Sequence, residues 1–449
     1  MNASDHKNIF MIGLNEFNHE KLKSLKNFDK YTFHGLIPPE EAEDAEEYDI
    51  PVMMEELEQK LDKFNGSVDA IVTYIDFPIS MMTPLLRQRY GLPAPTLESI
   101  LMCQHKYWGR VVQKEVVPDE VPGFSPVNPF ADDPLESVNI KFPFWLKPIK
   151  SVGSYLGFRI NNKKEFNRAI GVIREHIGRM AEPFNEIMSR AKMPDEMRKI
   201  DGSYCIAEEL IGGRQCTLEG FMFEGNMHIH GVVDSIRHSN RSSFSHYDYP
   251  SRLPKSVQER MMRISEKVLK HMGYDNHPFN IEFFWNESND KIWLLEINTR
   301  ISQSHSDLFE KVDGASNHQI TVELGLGRDP KFPHRKGEFN RASKFFYRKW
   351  EDAIVTRIPT EAEIATIQKD IPGVLIDVKV SEGVRLHDMF EQDSYSYELA
   401  WMFIGANNHK ELTKKYHQCV DRLHFEFRPV DELPPGQRVE TAPPETLEG

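Results

Sequence analysis

The segment Asn280–Arg300, NIEFFWNESNDKIWLLEINTR, is the most informative part of the chain. Its first half alternates apolar and polar residues, so Ile281, Phe283 and Trp285 share one face of a strand. Asn286–Asp290 supplies a turn, and Trp293, Leu295 and Ile297 are expected on the same face of the returning strand. In the simplest register Phe283 lies opposite Trp293 and Ile281 opposite Leu295. Glu282 then faces Leu294, with Glu296 diagonal to it and Asn298 one step beyond. Diagonal neighbours sit roughly 7–8 Å apart, close enough for side chains to converge. Two carboxylates and an amide oxygen meeting on an otherwise apolar hairpin form a hard-oxygen set. Such a set suits Mg²⁺ (or Mn²⁺), which takes one or two carboxylates and completes its shell with water and phosphates. A half-solvated hairpin would show the same alternation. Arg300 directly after the carboxylates, and a lysine-bearing strand upstream, favour the metal site.

Working outward, that lysine is Lys147 in the strand Phe142–Lys147, followed by Ser151, Gly153, Ser154 and Gly157 and a second strand, Tyr155–Ile160. Glycines between strands let backbone N–H groups approach phosphates, and a lysine adds charge. No G-x-x-x-x-G-K-[ST] is present, so this is not a P-loop. Ile206–Ile211 (IAEELI) ends another strand with two acids and an apolar pair before Gly212-Gly213, an edge able to receive an adenine ring. Leu97–Val117 has helical spacing throughout and carries Lys106.

The rest of the chain sets the class. Asn8–Leu14 and Asp69–Ile75 are apolar runs separated by helix-like segments, the pattern of a parallel sheet with crossover helices. Gly13 is not followed by G-x-x-G, so a dinucleotide site is not supported there. Helices are expected over Lys163–Ile177 and Pro254–Met272, strands over Ser203–Leu210, Cys216–Phe223 and Asn226–Ser235. Beyond about residue 328, Val374–Val380 and Tyr397–Ile404 suggest a smaller α+β unit, and Pro429–Gly449 reads as a disordered tail.

The chain has 449 residues, with 55 Lys+Arg against 69 Asp+Glu and hence a net charge of −14. That balance argues against a nucleic-acid partner. Four cysteines without paired spacing give neither a disulfide framework nor a zinc site. The N-terminus lacks a signal-peptide pattern and no apolar run approaches about 20 residues, so no membrane association and a cytoplasmic setting are expected. His228 and His230 are two apart on a strand but lack a third ligand, and read as ordinary surface or core histidines. Arg237, His238 and Arg241 precede FSHYDY in a loop region, where binding groups concentrate. Cys103 and Cys216 read as inert thiols.

Taken in order, Lys106, Lys147 with its Ser/Gly loop, Glu208–Ile211 before the double glycine, and E-F-F-W…L-L-E-I-N-T-R resemble the ATP-grasp superfamily over about residues 8–330. The last segment is similar to the metal-binding strand pair of biotin carboxylases and carboxylate–amine ligases. The resemblance implies an α/β ATP-grasp fold: a Rossmann-like domain over residues 1–95, an N-lobe with the phosphate loop over 96–205, and a C-lobe with the Mg²⁺ site over 206–328. A small α+β subdomain over 329–428 and a tail over 429–449 complete it. Carried over position by position, Lys106 and Lys147 contact ATP phosphates under a lid formed by Ser151, Gly153, Ser154 and Gly157. Glu208, Glu209 and Ile211 hold adenine, and Gln215 stands where many members carry an acid for the ribose. Glu282, Glu296 and Asn298 coordinate Mg²⁺, and Arg300 faces the transferred phosphoryl group and the substrate carboxylate. His305 or Asp307 is a candidate base. Biotin carboxylases continue I-Q-V-E-H after this arginine, whereas Ile301-Ser302-Gln303-Ser304-His305 lacks the acid. The implied reaction is activation of a small carboxylate by ATP and its joining to an amine, in a chain for which a homodimer is compatible. A carboxylase-like enzyme and a non-catalytic nucleotide-binding regulator are the alternatives.

Overall fold

The computed structural model describes residues 6–43, 47–152, 155–238, 243–389 and 396–430. Gly153, Ser154, Arg241 and most of the expected tail lie outside these residues. The chain divides into two compact units: one holds the residues up to Val232 with Leu253–Gln303 and Asn317–Phe332, the other Val233–Arg252, Ser304–Ser316 and the residues from Pro333 onward.

The first unit opens with a three-stranded parallel sheet in the order Tyr31–Gly35, Lys7–Ile12, Ala70–Thr73, in which Ile9 pairs with Phe33 on one side and Ala70 on the other. Strands of such a sheet are covered on both faces, which is why NIFMI in the central strand and AIVT beside it are continuous apolar runs. A four-stranded antiparallel sheet follows, ordered Phe124–Val127, Cys205–Glu209, Phe144–Pro148, Phe158–Ile160. The strands expected over Phe142–Lys147 and Tyr155–Ile160 are therefore present but start later. Further on, Arg214–Phe223 pairs with His277–Asn286, and that strand pairs with Lys291–Asn298. The amphipathic helix Lys255–His271 buries Val257, Met261, Ile264, Val268 and Leu269 in the core of this unit.

The expected single helix over Leu97–Val117 is two, Leu97–Gln104 and Lys106–Val116. His105 separates them in an extended conformation, with ψ at 97°. Its Nδ1 accepts the Trp108 N–H at 3.1 Å, and its Nε2 lies 2.7 Å from the Ile200 carbonyl. A carbonyl only accepts, so Nε2 carries the hydrogen and Nδ1 is bare. The break is thus an N-cap made by a neutral imidazole, and it turns Lys106 into the first residue of a new helix. Helical periodicity runs through it because apolar residues face the core on both sides.

The second unit is an antiparallel sheet running Phe244–Tyr249, Arg341–Lys349, Tyr397–Ala406, Val374–Val378. Helices Glu361–Asp370 and His409–Val420 contribute Ile367, Leu412 and Cys419 to a core shared with Phe345, Ile376, Met402 and Ile404. Among the described residues no helix is long and apolar enough to cross a membrane.

Candidate active site

On the hairpin Glu282 pairs directly with Glu296, and Asn280 with Asn298. This corrects the expected register, in which Glu282 faced Leu294. The pairing is Phe283 with Leu294 and Phe284 with Trp293, then slips by one residue between Phe283 and Glu282, so that Leu295 has no partner of its own. The slip also corrects the expected core face: Ile292, Leu294 and Ile297 are buried, while Trp293 and Leu295 are only partly so. Directly opposed residues share a face, so Glu282 and Glu296 project together. Asn298 Nδ2 lies 3.4 Å from Glu282 Oε1 and 3.3 Å from Asn280 Oδ1. Gln215 donates to Glu282 Oε2 at 2.8 Å from the neighbouring strand.

Lys106 reaches across to this pair. Its Nζ is 3.1 Å from Glu296 Oε1 and donates to the Ser151 carbonyl at 3.1 Å. Burial works to raise the Glu296 carboxyl, but Lys106, Lys147 and Lys150 outweigh it and hold it below its ordinary value. Lys147 Nζ sits 2.7 Å from Glu208 Oε2, whose other oxygen accepts from Arg110 Nε at 2.5 Å. Lys147 pairs across the sheet with Ile206, which makes Glu208 its diagonal neighbour on the same face. The two cations overcome burial and keep Glu208 ionised, with its carboxyl down at about 2. Glu209 Oε2 accepts the Gly123 N–H at 2.9 Å, fixing the strand end from which Leu210, 40% exposed, and Ile211 continue. Lys106, Arg110, Lys147, Glu208 and Glu296 line one cleft with Gln113, Leu295 and Ile297.

Arg300 forms a forked pair with Asp76 Oδ2, at 3.1 Å from Nε and 2.7 Å from Nη2. Asp76 follows the last strand of the parallel sheet, the C-terminal edge at which α/β sheets place ligands. Lys150 lies 3.6 Å from Asp76 Oδ1, donates to Gln104 at 2.5 Å, and is pushed down by burial to about 8. Sequence reasoning missed Asp76, Arg110 and Lys150. The charges in WLKPIK and the acid closing TYID were visible, but only the fold brings them together.

The other residues singled out in the sequence have their own surroundings. His305 belongs to the second unit, 3% exposed, with its ring edge-on to Tyr247 at 5.1 Å. His228 stacks on Phe221, and His230 packs near Phe332, as the non-metal reading expected. Arg237 covers the Phe244 ring and His238 meets Trp350. Cys103 and Cys216 are buried against Met272 and Met261.

The opposed carboxylates on one hairpin are accompanied by Lys106 from a helix start and Lys147 from the antiparallel sheet, an arrangement that the ATP-grasp fold accommodates. The comparisons with known proteins agree. Residues 140–306 match the ATP-grasp domain model, and the chain has the ATP-grasp fold. The solved L-amino acid ligase from Bacillus licheniformis superposes with a TM-score of 0.72 at 15% identity, covering 95% of this chain and 100% of that one. Biotin carboxylase from Campylobacter jejuni gives 0.63 at 15% identity over 95% and 93%. Phosphoribosylglycinamide synthetase from Anaerococcus prevotii gives 0.62 at 15% over 94% and 100%. Among curated proteins, urea amidolyase from Saccharomyces cerevisiae is 21% identical over 192 residues, 42% of this chain and 10% of that protein's length.

Proposed function

We propose that this protein is an ATP-dependent ligase that activates a small carboxylate as an acyl phosphate and joins it to an amine. The direct pairing of Glu282 with Glu296, facing Lys106, carries this reading. Two carboxylates and an amide oxygen fit a hard divalent cation. Among the described residues no group of three or more His, Cys, Asp or Glu is placed to hold a metal, so the remaining ligands are assigned to water and phosphate. Bound Mg²⁺ (or Mn²⁺) supplies charge neutralisation and orientation of the triphosphate.

The protein groups do the rest. Lys106 and Lys147 neutralise phosphate oxygens. Ser151 and Gly157 belong to the loop that covers the phosphates. Glu209–Ile211 offer backbone to adenine, Glu208 anchors Lys147, and Gln215 links Glu282 to the neighbouring strand. Arg300, held by Asp76, receives the substrate carboxylate and the transferred phosphoryl group. A carboxylate oxygen attacks the γ-phosphorus and the bond to the β–γ bridging oxygen breaks, releasing ADP. The amine nitrogen then attacks the acyl carbon, the C–O bond to phosphate breaks to release inorganic phosphate, and the amine proton passes to solvent.

Absence of the acid in Ile301–His305 favours ligation over carboxylation. Incubation with Mg·ATP and paired pools of carboxylates and amines tests the proposal: ADP and phosphate should appear only when both pools are present. Release that depends on bicarbonate alone, or nucleotide binding without turnover, would refute it.

A further inference from the structure

The two carboxylates share a face only because the returning strand carries a bulge. Had the pairing of Phe283 with Leu294 continued unbroken, Glu282 would meet Leu295, and Glu296 would meet Ile281 on the buried face. A one-residue slip exchanges the faces of a strand, so the extra residue at Leu295 turns Glu296 outward beside Glu282. Something must hold that irregularity, because successive carbonyls of a regular strand point to opposite sides whereas those of a bulge converge.

Arg110 is 3% exposed and lies on the helix that begins with Lys106. Its Nη1 donates to the Leu294 carbonyl at 3.0 Å and its Nη2 to the Leu295 carbonyl at 2.7 Å. Nη1 also meets Gln113 Oε1 at 2.7 Å, and Nε meets Glu208 at 2.5 Å. One planar fork thus closes both carbonyls of the bulge and the carboxylate that anchors Lys147. A lysine ammonium lacks this geometry.

We propose that Arg110 is the positioning residue of the site: it clamps the Leu294–Leu295 bulge and so sets Glu296 opposite Glu282, while its hold on Glu208 ties that register to Lys147. The idea rests on the metal reading above for its consequence, but the clamp itself can be tested without it.

The experiment compares wild type with Arg110→Lys, and with Arg110→Met as the more severe variant. Hydrogen–deuterium exchange is followed over Lys291–Asn298, and Mn²⁺ binding is measured by electron paramagnetic resonance with ADP present. Arg110→Lys keeps a charge for Glu208 but loses the fork. It should exchange at least tenfold faster at Leu294–Ile297, with little change in the Lys7–Ile12 strand, and should weaken Mn²⁺ binding at least tenfold. Unchanged protection in Arg110→Lys overturns the clamp, as does equal loss of protection throughout the first unit. Faster local exchange with undiminished Mn²⁺ binding overturns the link to Glu296. Absence of Mn²⁺ binding in wild type counts against the metal reading instead, and leaves the exchange result to decide the clamp. If Arg110→Met does not fold, Arg110→Lys alone carries the comparison.

Discussion

Glu282 is held by the amides of Gln215 and Asn298, and the other partly buried carboxylates of the site are each held by an opposite charge. Glu296 has Lys106, Glu208 has Lys147 and Arg110, and Asp76 has Arg300 and Lys150. Removing one member leaves a buried charge uncompensated. Glu296→Gln should therefore cut ATP consumption by about 10²-fold or more, since a preorganised charge at the reacting phosphates is lost. Near wild-type turnover in a folded variant would contradict its role. Lys150 titrates near the working range, because burial holds it at about 8. Its charge is present below that pH and lost above it. ATP consumption should fall as pH rises through about 8, and Lys150→Arg, whose guanidinium stays charged, should shift that alkaline limb upward. An unmoved limb would remove Lys150 from the account.

At the level of elements, His105 shows how a single side chain redirects the backbone. Its Nδ1 must be bare to accept the Trp108 N–H, and burial lowers its pKa from 6.5 to about 4. The unfolded chain takes up this proton as pH falls through about 6.5, whereas the folded chain resists until about 4. Stability is therefore lost across that window, by on the order of 3 kcal/mol from this residue. His105→Asn keeps a capping side chain and should flatten the dependence of denaturant midpoint on pH between 4 and 6.5; an identical slope would show that His105 does not contribute. Much at this scale was legible beforehand: the parallel strands, the amphipathic helices and the hairpin follow from periodicity. What was not legible has specific causes. The helical pattern passes smoothly over His105 because the core lies on the same side of both helices. The bulge left no mark of its own, because Ile292 to Leu295 are all apolar and do not show which of them face the core, and alternation on the first strand suggested regular pairing. The correct face for the carboxylates was reached through a register that does not exist.

For the molecule as a whole, the described candidates for nucleotide and metal binding belong to the first unit, whereas the candidate bases His305 and Asp307, and Arg237 and His238, belong to the second. Lys106, Lys147, Glu208 and the hairpin segment carrying Glu282, Glu296, Asn298 and Arg300 are distant from one another in sequence. Spacing showed the residue types, and the sheets supply the convergence. Asp76 and Arg110 escaped notice because an acid after a strand and an arginine in a helix are commonplace until their partners are known. Asp76→Asn should leave nucleotide binding near the wild-type level while lowering kcat/KM for the carboxylate by tenfold or more, because it frees the Arg300 fork from its orienting partner; an equal loss in nucleotide affinity would assign Asp76 to the phosphates instead. The most direct test of the central claim is a crystal structure with Mn²⁺ and ADP, phased to reveal manganese by its anomalous signal. The account predicts a peak within coordinating distance of both Glu282 and Glu296. A manganese peak elsewhere, with these two carboxylates binding no metal, would contradict it.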